Sequence, residues 1–221
     1  MSGSAAFLRW TSCPAGAYFC RKFGHYHRTL SNVRRLFPGL VIYLDIAKAF
    51  DKVDHAILLD KLGKLGVGGK LHDWLKLFLT NRVQRVRVNG ALSKPQTVKS
   101  GVPQGSVLGP ILFLIVMLDI DARISHSMIG SFADDTRIWK AVRSEQEQME
   151  LQNDLDILYQ WAEENNFFFN EKKFEHLSYG RHVETFEYET PLHKLIGGKD
   201  NVRDLGVYFS HTGSFEDHIA H

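Results

Sequence analysis

The apolar positions between residues 40 and 79 change from a continuous run to a helical spacing. The unbroken run at residues 40–44 is typical of a buried strand, and Asp45 ends it. Apolar residues then recur at steps of three and four over residues 47–65, which predicts a helix. A glycine-rich break at residues 66–69 ends that helix, and residues 71–79 predict a second, amphipathic one.

The next segment alternates apolar and basic positions. Residues 83–88 alternate in this way, and Asn89 and Gly90 then form a strong turn signal. We therefore predict a strand pair that reaches about residue 100. Residues 101–105, which contain two glycines and a proline, predict a stiff loop.

A buried helix, two strands and an acidic turn are predicted next. Ser106 is a suitable N-cap for a helix that runs to about Ile120. The runs at residues 128–133 and 136–141 are strand-like, and Asp134-Asp135 lies between them as the tip of a hairpin would.

The last part of the chain predicts one long helix and short returning strands. Ser144 and Glu147 form a capping box for a helix to about Asn165. Its apolar face comprises Leu151, Leu155, Leu158 and Ala162. Short strands are predicted at residues 167–170, 175–179 and 204–210. This order of elements predicts an α+β fold, with an antiparallel sheet covered by helices on one face.

Composition limits the class of protein without deciding it. The chain has 221 residues, is 44% hydrophobic and 24% charged, and carries a formal net charge of +2. It can therefore bury a core as one domain or one and a half, and its charge alone does not indicate nucleic-acid binding. The longest apolar run, residues 111–118, is too short to span a bilayer. No secretory signal is evident, and two cysteines are no disulfide framework, so an intracellular, reducing location without membrane contact is expected.

Residues 1–39 show no clear periodicity and are expected to form an irregular N-terminal segment. Two interpretations stay open for four residues in it. They could form a zinc site, although their spacing fits no common zinc finger, or they could simply belong to irregular chain. These residues are Cys13, Cys20, His25 and His27.

Three aspartates are the candidate catalytic groups. Asp134 and Asp135 at a hairpin tip, with Asp45 at the end of a buried strand, offer the carboxylate oxygens that hard divalent cations prefer. An Asp-Asp pair alone is weak evidence, because acidic pairs in turns are usually solvated.

The surrounding motifs carry a resemblance to a known family. Three blocks resemble, in order, the catalytic blocks of the reverse transcriptases of non-LTR retrotransposons (LINE-like elements of the jockey and CR1 kind). They are residues 43–55, residues 100–110 and residues 132–135. Two weaker matches follow. Residues 170–173 resemble the next block, and residues 204–207 with 214–215 and 218–219 resemble the region that this family places against the primer.

The resemblance implies a polymerase palm. It implies a palm at residues 40–180, followed at 181–221 by post-palm strands and the start of a thumb, with the fingers and thumb largely missing from this chain. Asp45 and Asp134 would each bind both of two Mg²⁺ ions, for which Mn²⁺ can substitute, and Asp135 would complete the acidic cluster. The backbone carbonyl of Ile46 would help to hold the nucleotide-bound ion.

Four further residues acquire implied roles in nucleotide binding. Phe50 would be the steric gate that excludes the 2′-hydroxyl, although an aromatic residue at helical spacing is more often only core. Gln104 and Gly105 would lie against the incoming nucleotide, although a Pro-Gln-Gly turn alone is unremarkable. Lys173 would face the triphosphate, unless it is a solvated surface lysine.

Several charged residues have less specific interpretations. Arg82, Arg85 and Arg87 are candidates for template or primer phosphates, although arginines on the outer face of a strand are more often just solvated. Asp51, Asp54 and His55 belong to the first block but are not assigned to the metal site.

The implied function is RNA-directed DNA synthesis by a retrotransposon enzyme. Its partners would be an RNA template, a DNA primer, deoxynucleoside triphosphates and the rest of a larger retrotransposon protein, in an intracellular ribonucleoprotein in the nucleus or cytoplasm. The alternative is a catalytically inactive palm fragment that at most binds nucleic acid weakly. A two-metal nuclease is a more distant alternative, because it would need neither the gate nor the Pro-Gln-Gly loop.

Overall fold

The structure, a computed structural model, describes residues 39–179, 187–191 and 194–212. The chain divides into two compact units. The first, here called the sheet unit, contains residues up to 45, 122–159 and from 169 onward; the second, here called the helical unit, contains residues 46–121 and 160–168. The candidate zinc ligands in residues 1–38 and the motif residues beyond 212 lie outside the described residues.

A five-stranded sheet forms the centre of the sheet unit. Its strands lie in the order β6-β7-β1-β8-β9. Every neighbouring pair is antiparallel except β8 with β9, which run parallel. The strands are β1 (Gly39–Asp45), β6 (Met128–Phe132), β7 (Asp135–Ala141), β8 (Glu175–Tyr179) and β9 (Gly197–Gly198). The prediction of an α+β fold around a largely antiparallel sheet is confirmed.

The two faces of this sheet are covered differently. On one face, Val41 and Trp139 belong to a buried cluster with Val202 and Phe209 of a separate hairpin. That hairpin consists of β10 (Asn201–Asp204) and β11 (Val207–Ser210). The other face carries Lys140, whose ammonium forms an ion pair with Glu150 of the long helix α5 (Glu145–Glu164). Helix α5 therefore lies along that face, as predicted.

Two predicted strands near the C-terminal end were wrong in form. Residues 204–210 do not make one strand, because Leu205 and Gly206 both have positive φ (47° and 86°) and reverse the chain between β10 and β11. Residues 167–170 contain no strand in the structure. The backbone N–H of Asn170 instead donates to the carbonyl of Asp45 (2.8 Å).

The capping box predicted for α5 is confirmed. The N–H of Glu147 donates to the Ser144 hydroxyl oxygen (3.3 Å), and the Glu147 carboxylate in turn accepts from the N–H of Arg143. The apolar face predicted for this helix is also confirmed. Its members Leu151, Leu155, Leu158 and Ala162 are all buried.

The helical unit contains two helices where one was predicted over residues 47–65. They are α1 (Ala49–Lys52) and α2 (His55–Lys64). Asp54 has extended backbone, and its carboxylate accepts from the N–H groups of Ala56 and Ile57, so it caps a new helix rather than continuing the first. The periodicity had not distinguished these cases, because apolar spacing runs unbroken across the cap.

The remaining helices match their predictions in outline. Helix α3 covers Gly69–Leu79, and α4 covers Leu108–Met117. The hydroxyl oxygen of Ser106 accepts from the N–H of Gly109 (2.9 Å), so this serine caps α4 as expected. Among the described residues, no helix is long and apolar enough to cross a membrane.

The predicted strand pair forms a thin antiparallel ribbon. Its outer part joins β3 (Arg87–Val88) to β4 (Ala91–Leu92) around Asn89 and Gly90, which have positive φ as a two-residue hairpin turn requires. Its inner part joins β2 (Val83–Gln84) to β5 (Gln96–Thr97). Every residue from 83 to 97, here called the ribbon, is exposed.

Candidate active site

Strand pairing brings the candidate aspartates together at one end of the sheet. Asp45, the last residue of β1, lies directly opposite Asp135, the first residue of β7. Asp134 lies beside them in the two-residue turn between β6 and β7. The hairpin-tip prediction is confirmed, with the difference that Asp135 already belongs to a strand. Because alternate strand residues share a face, Asp45 and Asp135 lie on the face that also carries Val41 and Trp139.

The turn that carries Asp134 has a strained backbone. Ala133 has φ of 55°, a left-handed conformation that residues with a Cβ rarely adopt. Such conformations cost on the order of 1–2 kcal/mol for a residue other than glycine. The strain is the local cost of closing this hairpin in two residues.

The acidic cluster perturbs its own ionisation. Desolvation of the carboxyl group and the neighbouring charges of Asp134 and Asp45 raise the pKa of Asp135, while Arg137 and Lys173 oppose the rise. A site that concentrates negative charge in this way favours a bound cation.

Lys173 supplies one such cation. Its ammonium donates to Asp45 Oδ1 at 2.9 Å, and this hydrogen bond and the Asp45 charge raise the pKa of Lys173. A short 3₁₀-helix (Glu171–Lys173) positions the lysine immediately after the backbone bond from Asn170 to Asp45. The lysine head group is therefore a stand-in ion on the carboxylate.

The residues present fit hard divalent cations in their chemistry. Asp45, Asp134 and Asp135 offer carboxylate oxygens, and Lys173 already binds one of them as a positive charge. In the described part of the chain, no three His, Cys, Asp or Glu side chains form a ready-made metal site. Binding a metal therefore requires the carboxylates to turn toward it, and Asp45 to exchange its contact with Lys173.

In the helical unit, the loop at residues 101–105 is fixed to helix α1. The N–H of Gly101 donates to the carbonyl of Val53 (2.8 Å), and that of Val102 to the carbonyl of Phe50 (3.0 Å). Gly101 has φ of 90°, and a Cβ there would lie 2.9 Å from backbone atoms of Asp51. Only glycine allows this approach without displacing backbone.

Gln104 is held at the surface of this loop. Its side-chain amide donates to Asp51 Oδ1 at 2.7 Å, and the side chain is exposed. Gly105 has φ of 81° with open space where a Cβ would be. The loop thus presents an oriented amide and an uncovered stretch of backbone.

Two further candidates have mixed surroundings. Phe50 is half-buried and stacks on Phe113, with ring centroids 4.3 Å apart and planes at 19°. It packs as a core residue would while keeping part of its ring exposed, so the structure fits both interpretations. Ile46, which follows Asp45 directly, is buried.

The three candidate arginines separate into two kinds. Arg82 donates to the carbonyl of Leu79 (3.0 Å) and to that of Gly101 (2.8 Å), so its guanidinium braces the loop. Arg85 and Arg87 are exposed on the ribbon.

Comparison with known proteins decides the family. Residues 30–209 match the family model described as "Reverse transcriptase (RNA-dependent DNA polymerase)". The chain belongs to the reverse transcriptase family.

Individual relatives of this reverse transcriptase chain are retrotransposon proteins. It is 31% identical over 186 residues to the RNA-directed DNA polymerase from mobile element jockey of Drosophila melanogaster. It is 32% identical over 189 residues to the probable RNA-directed DNA polymerase from transposon X-element of the same species. These matches cover 80% and 81% of the chain but only 20% of each relative. The resemblance to non-LTR reverse transcriptases is confirmed, and the chain spans about a fifth of the length of these relatives.

Solved structures agree on the fold. The apo telomerase of Candida tropicalis truncated from its C-terminal domain aligns with a TM-score of 0.61 at 12% identity, covering 95% of this chain and 41% of that one. The telomerase of the same species in complex with a fragment of telomeric RNA gives the same TM-score at 11% identity, covering 95% and 35%. The reverse transcriptase palm fold is thus supported by both sequence and structure.

One pair of residues in this reverse transcriptase chain had no signal in the sequence. Arg137, two residues after Asp135, forms an ion pair with Asp204 of β10 at 2.8 Å, and the two side chains are only 2% and 4% exposed. Burial raises the pKa of Asp204 to about 6, although the Arg137 charge lowers it. The pair joins the strand that carries Asp135 to the β10–β11 hairpin.

Residues of the first block that were not assigned to the metal site prove to support the nucleotide loop. Asp51 orients Gln104, and its carbonyl accepts from the Ser100 hydroxyl (2.8 Å). The buried His55 ring lies 2.9 Å from the carbonyl of Gly101 through its Nε2. Their membership of a motif was the available signal, but their partners are 46 or more residues away along the chain.

Proposed function

We propose that this chain is the palm of an RNA-directed DNA polymerase that adds deoxynucleotides to the 3′-hydroxyl of a DNA primer on an RNA template. The observation that carries the proposal is the position of Asp45 opposite Asp135, with Asp134 in the adjoining turn, in a chain of the reverse transcriptase family. The wider element protein, acting inside the cell as a ribonucleoprotein, would supply the parts that hold the template and primer.

The chain's own residues would position and neutralise. Asp45, Asp134 and Asp135, with the carbonyl of Ile46, would hold two Mg²⁺ ions, for which Mn²⁺ can substitute. The chemistry that these ions supply when bound is activation of the attacking hydroxyl and stabilisation of the leaving oxygen. Lys173, released from Asp45, would neutralise the triphosphate, while Gln104 and the open backbone at Gly105 would contact the nucleotide.

Primer extension on an RNA template tests the proposal. The full chain is incubated with deoxynucleotides and Mg²⁺ or Mn²⁺, beside the double variant Asp134→Ala, Asp135→Ala. We expect extension by the wild type and its loss in the variant. The matched control Asp60→Ala, Asp73→Ala removes two exposed acids from the helical unit and should leave extension unchanged. Equal, background-level extension by wild type and the active-site variant would favour the inactive-fragment alternative instead.

The gate role of Phe50 is part of the proposal. Its half-exposed ring, fixed by stacking on Phe113, supports it. We expect Phe50→Ala to admit ribonucleotides, measured as the ratio of kcat/KM for deoxy- and ribonucleotides. Phe168→Ala, which removes an exposed ring from the same unit, serves as the control. Unchanged sugar selectivity in Phe50→Ala would remove the gate assignment.

A further inference from the structure

The ribbon at residues 83–97 combines full exposure with a one-sided charge. Both of its faces are exposed, including the side chains of Val83, Val86, Val88 and Leu92. A two-stranded ribbon without a buried face is marginally stable by itself. Its root is nevertheless fixed, because the N–H of Val98 donates to the carbonyl of Arg82, whose guanidinium binds Gly101. The fold therefore projects a surface that it does not cover.

The charge around this ribbon has one sign. No Asp or Glu occurs between Asp73 and Asp119, whereas that stretch holds six Lys and Arg residues. Elsewhere in the chain, acidic residues outnumber Lys and Arg, although the formal net charge is only +2. The positive charge is therefore concentrated rather than spread. Four of its members lie exposed on or beside the ribbon, namely Arg85, Arg87, Lys94 and Lys99.

We propose that the ribbon binds the sugar–phosphate backbone of nucleic acid through Arg85, Arg87, Lys94 and Lys99. Arg82 is excluded from this set, because its donors are used within the chain. Phosphate contacts need exposed cations and no base readout. The ribbon has no aromatic residue on which a base could stack, so it recognises backbone rather than sequence.

A simpler explanation is that these cations only keep an exposed strand edge from pairing with other chains. Lys94 and Pro95 suit that role. It does not require a single sign of charge, however, since acidic residues protect an edge equally well. The exclusion of every acid over residues 74–118 indicates a polyanion as the occupant.

The salt dependence of binding provides a quantitative test. Binding of a fluorescent RNA–DNA duplex and of single-stranded RNA to the full chain is followed by anisotropy from about 50 to 250 mM salt. The variant replaces Arg85, Arg87, Lys94 and Lys99 with Gln. Because each phosphate contact contributes about 0.9 to the slope of log K against log salt for a duplex and about 0.7 for a single strand, we expect the slope to fall by about 3. Affinity at the lower salt concentrations should fall on the order of 100-fold. The arm with the larger change identifies the strand form that the ribbon contacts.

A matched control removes the same charge elsewhere. Lys64, Lys70, Lys76 and Lys199 are exposed and lie outside the ribbon, and their replacement by Gln should leave the slope within about 1 of the wild type. Thermal unfolding of each variant checks that it folds. Equal loss in the two variants, or an unchanged slope in the ribbon variant, would overturn the proposal and leave the ribbon as an edge-protected or protein-binding surface.

This inference rests on the proposed function for the identity of the nucleic acid, but the two can fail separately. A wild type that binds duplex with a ribbon-dependent slope yet extends no primer would refute the polymerase and support the ribbon. Primer extension with unchanged salt dependence in the ribbon variant would do the reverse. A wild type that binds no nucleic acid would overturn the ribbon proposal.

Discussion

The two units position their functional groups in different ways. In the sheet unit, regular pairing of β1 with β7 brings Asp45 opposite Asp135 over a stretch of seven paired residues. In the helical unit, Gln104 is positioned by individual hydrogen bonds between a loop and helix α1. A strand register tolerates many substitutions, since its bonds are made by backbone. A loop fixed by few contacts depends on each residue that makes them.

The units also differ in how they handle charge. The sheet unit buries an ion pair, Arg137 with Asp204, beneath the hairpin that covers one sheet face. The helical unit leaves its corresponding example, Lys64 with Asp60, almost fully in solvent. Energetic consequences should follow burial rather than the number of ion pairs.

The largest effect is expected from Arg137→Met. This change leaves the buried Asp204 carboxylate without its ion-pair partner. We expect the free energy of unfolding to fall by about 3–5 kcal/mol, measured by urea denaturation. The double variant Arg137→Met, Asp204→Leu should recover most of the loss, because it removes both charges.

Lys64→Met is the control for burial, and it should leave the urea midpoint unchanged. Equal midpoints for the Arg137 and Lys64 variants would contradict the contrast between the units. Acidity gives a second check. The folded-state pKa of Asp204, about 6, exceeds its ordinary value of about 3.9. Stability from this group therefore falls as pH rises from about 4 to 6, and Asp204→Asn should flatten that dependence.

An intermediate effect is expected from Gly101→Ala in the helical unit. The added methyl group would meet the Asp51 backbone at 2.9 Å, and φ of 90° adds strain. We expect a loss of about 2–3 kcal/mol in unfolding free energy. Gly105→Ala has a similar φ but open space, so it should cost only about 1 kcal/mol. Indistinguishable denaturation curves for the two variants would show that the close approach to α1 does not constrain the loop.

The smallest effect is expected at the turn of the sheet unit, and with opposite sign. Ala133→Gly relieves a left-handed conformation worth about 1–2 kcal/mol but adds unfolded-state entropy, so a net gain of about 0.5–1 kcal/mol is expected. Ala141→Gly, at the far end of β7, should instead destabilise by about 0.5–1 kcal/mol. Calorimetric melting of both variants would measure the difference, and a loss in both would exclude strain at Ala133.

Prediction from the sequence succeeded where one short segment carries its own signal. The apolar run before Asp45, the Asn89-Gly90 turn and the Ser144 capping box each specify local structure through nearby residues, and each is confirmed. It failed at Asp54, where a cap interrupts a continuous helical periodicity. The division of residues 204–210 was missed because Leu205 shares the left-handed backbone of the turn, which its residue type does not indicate.

The sequence by itself determined the family and the identity of the acidic residues, because those motifs are short and their order along the chain is specific. Asp45, Asp134, Asp135 and Gln104 could be selected without coordinates. Only the tertiary structure decided what surrounds them. The Lys173 contact with Asp45 spans 128 positions, and the contact of Gln104 with Asp51 spans 53. No local pattern encodes such distances, since they depend on how strands and loops pack. The same reason separates the bracing Arg82 from the exposed Arg85 and Arg87, which are equivalent as letters in the sequence.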